Sequence, residues 1–143
     1  MCIHIYCLDR PLIESSSRST SGLPTVAAVL GALDAPAVPD FLKAIDRAIS
    51  LAVRTLIVDL SRVDFVGISG VLALADAQDR ATCNGLAMLL VPDEATAGHT
   101  LRATDMADHF HCFPSVQAAA EARRVELAAH DQLEQVRVSS AAG

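Results

Sequence analysis

The sequence contains no tryptophan, one tyrosine and four phenylalanines among 143 residues, although 52% of it is hydrophobic. An aromatic core is therefore excluded, and the interior has to be built from Leu, Val, Ile and Ala. No apolar run approaches the ~20 residues that cross a bilayer as a helix. No Lys/Arg cluster stands out, and the formal net charge is −6. That balance argues against DNA, RNA and anionic membrane surfaces as partners. The stretch from Met1 to Pro11 has neither a basic region nor a long apolar segment, so no signal peptide is expected and the expected location is the cytoplasm. The four cysteines, Cys2, Cys7, Cys83 and Cys112, form no C-x-x-C pair. In a reducing compartment they are expected to be free thiols, buried or half-buried, with a regulatory disulfide as the alternative. There is no P-loop, no G-x-S-x-G and no H-E-x-x-H. What remains is a chain of single-domain length, long enough to bury an aliphatic core without disulfides or metals.

The pattern of elements alternates. Residues 2–8 favour a strand. Residues 9–22, with five serines and Pro11, read as a serine-rich loop. Thr25 to Leu30 is a second strand, followed by Gly31-Ala32-Leu33-Asp34. Pro36, Pro39 and Asp40 signal a helix start. Phe41, Leu42, Ile45, Ala48, Ile49 and Ala52 then form one apolar stripe of that helix. Residues 55–60 and 86–91 are continuous apolar runs, the pattern of strands buried on both faces of a parallel sheet. Helices are expected over about 69–83, closed by Asn84-Gly85, and over about 94–103. A short strand follows at His109–Phe113. A last helix opens at Pro114-Ser115, with Val116, Ala119 and Ala120 on one face, and runs to about Gln135. The order β-β-α-β-α-β-α-β-α predicts an α/β fold with a mostly parallel, mixed sheet flanked by helices. A single domain is expected over 1–135 (core 24–122), with a frayed tail over 136–143.

The most informative stretch runs from Leu56 to Leu74, LIVDLSRVDFVGISGVLAL. It reads as strand, tight turn and helix N-terminus, which exposes backbone N–H groups and the positive end of a helix dipole. Ser61, Arg62 and Asp64 suit the turn, with Val63 and Phe65 sharing an apolar side through it. Within this stretch, VDLSRVDFVGISG is similar to the signature of the STAS domain, the sulfate-transporter and anti-sigma-factor-antagonist fold. In the bacterial antagonists that signature runs D-L-S-x-V-x-F-[hydrophobic]-D-S-[ST]-G. Asp59, Leu60, Ser61, Val63, Phe65, Val66, Ser69 and Gly70 match it. Gly67 stands where the family has Asp, and Ile68 stands where it has the phosphorylated Ser.

The resemblance implies a protein-interaction module. In the family, a GHKL-type kinase serves as the anti-sigma factor. It binds the unmodified antagonist, releases its sigma factor, and loses the antagonist once that Ser carries phosphate. Here Ile68 cannot accept phosphate, and Ser69, one residue along, is the weak candidate. The partner-binding set implied is Asp34, Asp64, Gly67, Ile68, Ser69, Gly70, Val71 and Leu72, with Asp59 also near the turn and Ile68 supplying an apolar contact. The Ser69 hydroxyl is expected to cap backbone donors, since the sequence nominates no base for it as a nucleophile. His109, His111 and Cys112 form H-F-H-C, with both histidines on one face of the strand. Without a convergent third ligand this set reads as surface histidines, not zinc. No metal, no cofactor and no catalysis are expected, and the state is expected to be a monomer or weak dimer. The alternative reading is a STAS domain that senses a nucleotide or other anion at the helix N-terminus. Ile68, a large apolar side chain at the anion's natural seat, favours the interaction module.

Overall fold

A computed structural model describes residues 1–7 and 24–142, with side chains up to residue 129. The serine-rich stretch at 9–22 lies outside the described residues. Among the described residues, five strands and four helices alternate as expected: β1 (Cys2–Cys7), β2 (Thr25–Leu33), α1 (Val38–Leu51), β3 (Thr55–Val66), α2 (Ile68–Cys83), β4 (Ala87–Pro92), α3 (Ala97–Ala103), β5 (His111–Cys112) and α4 (Val116–Ala142). The spatial order of the strands is β1-β2-β3-β4-β5. β1 pairs antiparallel with β2, and all other pairings are parallel.

The sheet has two unequal cores. On one face Phe41, Ile45 and Ala48 of α1 and Leu74, Ala77 and Ala81 of α2 pack against Val29, Leu56, Val58 and Leu60. Leu101 of α3 and Phe110 close the same cluster. On the other face Ala119 of α4 packs against Val26, Ile57, Leu89 and Val91, with Val116 and Ala120 beside it. Both faces of β3 and β4 are covered, which is why those strands lack polar alternation. The end of α2 is a Schellman closure: Gly85 N–H donates to Thr82 O at 3.0 Å and Leu86 N–H to Ala81 O at 2.9 Å. Gly85 takes the left-handed conformation this requires, at φ +75°. Arg80 ties α2 to α1 by donating to Asp46 at 2.8 Å, and it also bonds Asp76 at 3.3 Å. Hydrogen bonding to Asp46 first, then to Asp76, raises the guanidinium pKa above its usual value.

Several boundaries differ from the sequence expectation. β3 continues through the turn expected at Ser61–Asp64 and is 12 residues long. α3 starts at Ala97 because Asp93–Thr96 form a turn, closed by Gly98 N–H to Asp93 O at 2.7 Å. β5 has only two residues, and His109 belongs to a 3-10 turn before it. His109 and His111 therefore do not share a strand face. The helix α4 extends to Ala142, so the tail expected from residue 136 is helical almost throughout. All four cysteines are free but exposed, not buried as expected. The sulfur of Cys112 is shielded enough that burial pushes its pKa up.

Candidate interaction corner at the start of helix α2

The corner is shaped by irregularities in β3. Its core-facing residues are Leu56, Val58 and Leu60, two apart, and then Val63 and Val66, three apart. Each step of three marks a register shift against β2: one between Ala28 and Leu30, one between Gly31 and Ala32. A bulge places an extra residue in one strand and turns the following side chains. At the first shift, the Asp59 carboxylate accepts from Ser61 N–H at 3.0 Å. A local bond of this kind occupies a donor at the irregularity, which gives the D-L-S segment a structural role. Asp59 therefore sits in the middle of β3, remote from the turn where it was expected. At the second shift, Gly31 pairs with Val63 and Ala32 with Phe65, leaving Asp64 as the extra residue. Asp64 and Phe65 both point outward. The ring of Phe65 is 54% exposed, while Val63 is buried, so the two do not share a side.

Past Val66 the chain is clamped to the end of β2. Gly67 N–H donates to Leu33 O at 3.0 Å, and Val71 N–H donates to Gly67 O at 3.1 Å. A Cβ built on Gly70 would lie 2.4 Å from the same Leu33 carbonyl oxygen, 3.0 Å from Leu33 Cγ and 3.2 Å from Val66 Cγ1. Only glycine allows α2 to start this close to β2. Because Leu33 pairs with Val66, Asp34 leaves β2 beside Gly67. Asp34 is half-buried and precedes the 3-10 turn Ala35–Ala37 without making a side-chain cap bond.

The exposed side of this corner is apolar. Ile68 is 68% and Leu72 62% exposed. They stand four residues apart on α2 and so are neighbours on one helix face. Phe65 joins them at the strand end: a Cβ on Gly67 would meet Phe65 Cε2 at 3.3 Å, so the ring lies against Gly67. Gly70 and Val71, expected in the contact set, are buried beneath the corner, Val71 with 1% exposure. Ser69 is half-buried at the second helical position, and the cap position is Gly67, with no side-chain cap bond. The hydroxyl expected as a cap therefore stands two residues past the cap position. Phe65 is the surface residue that sequence reasoning missed. The signal lies in the spacing Leu60, Val63, Val66, which two bulges impose and strict alternation hides.

Among the described residues, no group of three or more His, Cys, Asp or Glu side chains is placed to hold a metal. No described helix is long and apolar enough to cross a membrane. A sequence model described as the STAS domain matches residues 17–119. No curated protein sequence gives a significant match. Among solved structures, an anti-sigma factor antagonist from Mycobacterium paratuberculosis is similar with a TM-score of 0.67 and 22% identity, over 86% of this chain and 95% of that one. The anti-sigma factor antagonist SpoIIAA in its unphosphorylated form gives 0.61 and 19%, over 85% and 96%. The phosphorylated form of the Bacillus cell fate determinant SpoIIAA gives 0.56 and 18%, over 85% and 99%. At these identities the similarity establishes the fold.

Proposed function

The chain belongs to the STAS domain family, and on that premise we propose that it is an anti-sigma-factor antagonist: a cytoplasmic binding module, not an enzyme, that regulates sigma-factor-dependent transcription. Its partner is an anti-sigma factor or related GHKL-type kinase of a bacterial partner-switching pair, and its contact surface is the corner Phe65, Ile68 and Leu72 flanked by Asp34 and Asp64. The observation that carries this is the outward exposure of three large apolar side chains in a row, where α2 leaves the sheet. An apolar centre with a charged rim is the usual composition of a protein contact. The likeness to structures titled as anti-sigma factor antagonists supports the same reading. Affinity capture from the native cell extract, followed by calorimetry with the purified partner, tests it. Capture of a GHKL-type protein whose binding is lost with Phe65→Ala plus Leu72→Ala supports the proposal; capture that survives the double change places the contact elsewhere.

Control by serine phosphorylation does not operate in this chain. The position that carries the phosphorylated Ser in the family is Ile68, and Gly67 replaces the Asp before it. Ser69 is half-buried and turned away from Ile68 by one helical step of about 100°. A hydroxyl displaced in this way does not meet a γ-phosphate aligned for its neighbour. After incubation with the cognate kinase and ATP, intact-mass spectrometry is expected to show unmodified protein. A stoichiometric phosphate mapped to Ser69 overturns this.

A further inference from the structure

The edge strand β1 divides its side chains by face. Ile3 and Ile5 pack against the larger core, while Cys2, His4 and Tyr6 are exposed on the other side. Across the ladder Cys2 stands opposite Leu30 and His4 opposite Ala28. Cys2 Sγ lies 3.7 Å from His4 Nε2, a separation at which the S–H can donate to a ring nitrogen. The other three cysteines lack this arrangement among the described residues. Cys7 is exposed on the same strand and makes no side-chain hydrogen bond to another described residue, and Cys83 ends α2. Cys112 is shielded on β5, which opposes formation of the thiolate.

We propose that Cys2 and His4 form a thiol-modification site, with Cys2 as the nucleophile toward low-molecular-weight disulfides and His4 as its general base. A thiol is a poor nucleophile until its proton is removed, and an adjacent imidazole is the usual acceptor. As Sγ attacks one sulfur of the disulfide, its proton passes to His4 Nε2. The Cys2 Sγ–S bond forms, the disulfide S–S bond breaks, and the departing thiolate takes the proton from the imidazolium. Cys2 is oxidised to a mixed disulfide and the other half of the reagent is reduced to a free thiol. Cys2 is exposed at the edge of the sheet, where a small disulfide can approach its sulfur.

Cys7 supplies an internal control, being exposed on the same strand. The full chain is treated with glutathione disulfide below one equivalent, and adducts are mapped by peptide mass spectrometry against time. Cys2 is expected to react about ten-fold faster than Cys7, well below the 10²–10⁴-fold typical of a fully positioned base. His4→Gln is expected to bring the Cys2 rate down to that of Cys7, with the Cys7 rate and the melting temperature unchanged. Equal rates at Cys2 and Cys7 in the unmodified chain overturn the proposal. So does a His4→Gln chain in which Cys2 keeps its advantage, since exposure alone then explains the reactivity.

Discussion

Ile68→Asp is expected to weaken binding of the partner anti-sigma factor by about ten-fold or more while leaving the fold intact. Burying a side chain of this size in a contact contributes roughly 1.5–3 kcal/mol. The substitution removes that and places a carboxylate in an apolar interface, where it is desolvated without a partner. A tenfold loss corresponds to about 1.4 kcal/mol, so the estimate is conservative. The fold does not oppose the change. Ile68 is 68% exposed and occupies the first position of α2, where no acidic residue stands in the first turn. A negative charge there is favourable to the helix dipole, by roughly 0.3–1 kcal/mol. Stability and binding are therefore expected to move in opposite directions, which separates a contact residue from a core residue. Calorimetry against the partner and thermal unfolding of the free chain give the two readings. Unchanged affinity removes Ile68 from the interface, and a lowered melting temperature makes it part of the core.

Gly70→Ala is expected to cost about 3 kcal/mol of stability, at the upper end of ordinary overpacking. The new methyl would lie 2.4 Å from Leu33 O. That oxygen is backbone, and it is already held at 3.0 Å by Gly67 N–H. It cannot step aside without breaking the clamp between β2 and α2. Leu33 Cγ and Val66 Cγ1 stand on the other sides at 3.0 Å and 3.2 Å. Gly85→Ala makes the comparison: Gly85 has φ +75° with no atom within 4 Å of the added Cβ. It suffers only the left-handed backbone penalty, about 1–2 kcal/mol. Urea unfolding of both variants is the measurement. If Gly70→Ala unfolds within 0.5 kcal/mol of the unsubstituted chain, α2 can move away from β2 and the clamp has no role.

The sequence alone determined which segments become strands and helices, and most of their order. Continuous runs such as Leu56–Val58 and Met88–Val91 mark strands buried on both faces, and the stripe Phe41, Ile45, Ala48 marks a helix with one buried face. These patterns are local and periodic, so a window of ten residues contains them. The same holds for Asn84-Gly85, whose conformational freedom closes α2 at the expected place. Ile68 was legible too, because its chemistry differs from the serine expected at that position. The bulges in β3 were not. Whether Val63 and Phe65 face the same way depends on how β3 is registered against β2, and register is a relation between two strands, decided by packing rather than by either sequence. That relation turned Phe65 outward and placed Asp64 at the irregularity, while the Asp59 carboxylate was drawn into accepting from Ser61 N–H. It also buried Gly70 and Val71 under the corner they were expected to present. The Cys2–His4 pair needed the structure for the same reason: their spacing of two is visible in the sequence, but their shared exposure rests on β1 being the edge strand. Composition and period act along the chain; which side chains meet solvent together is set across it, by the neighbours that each strand acquires on folding.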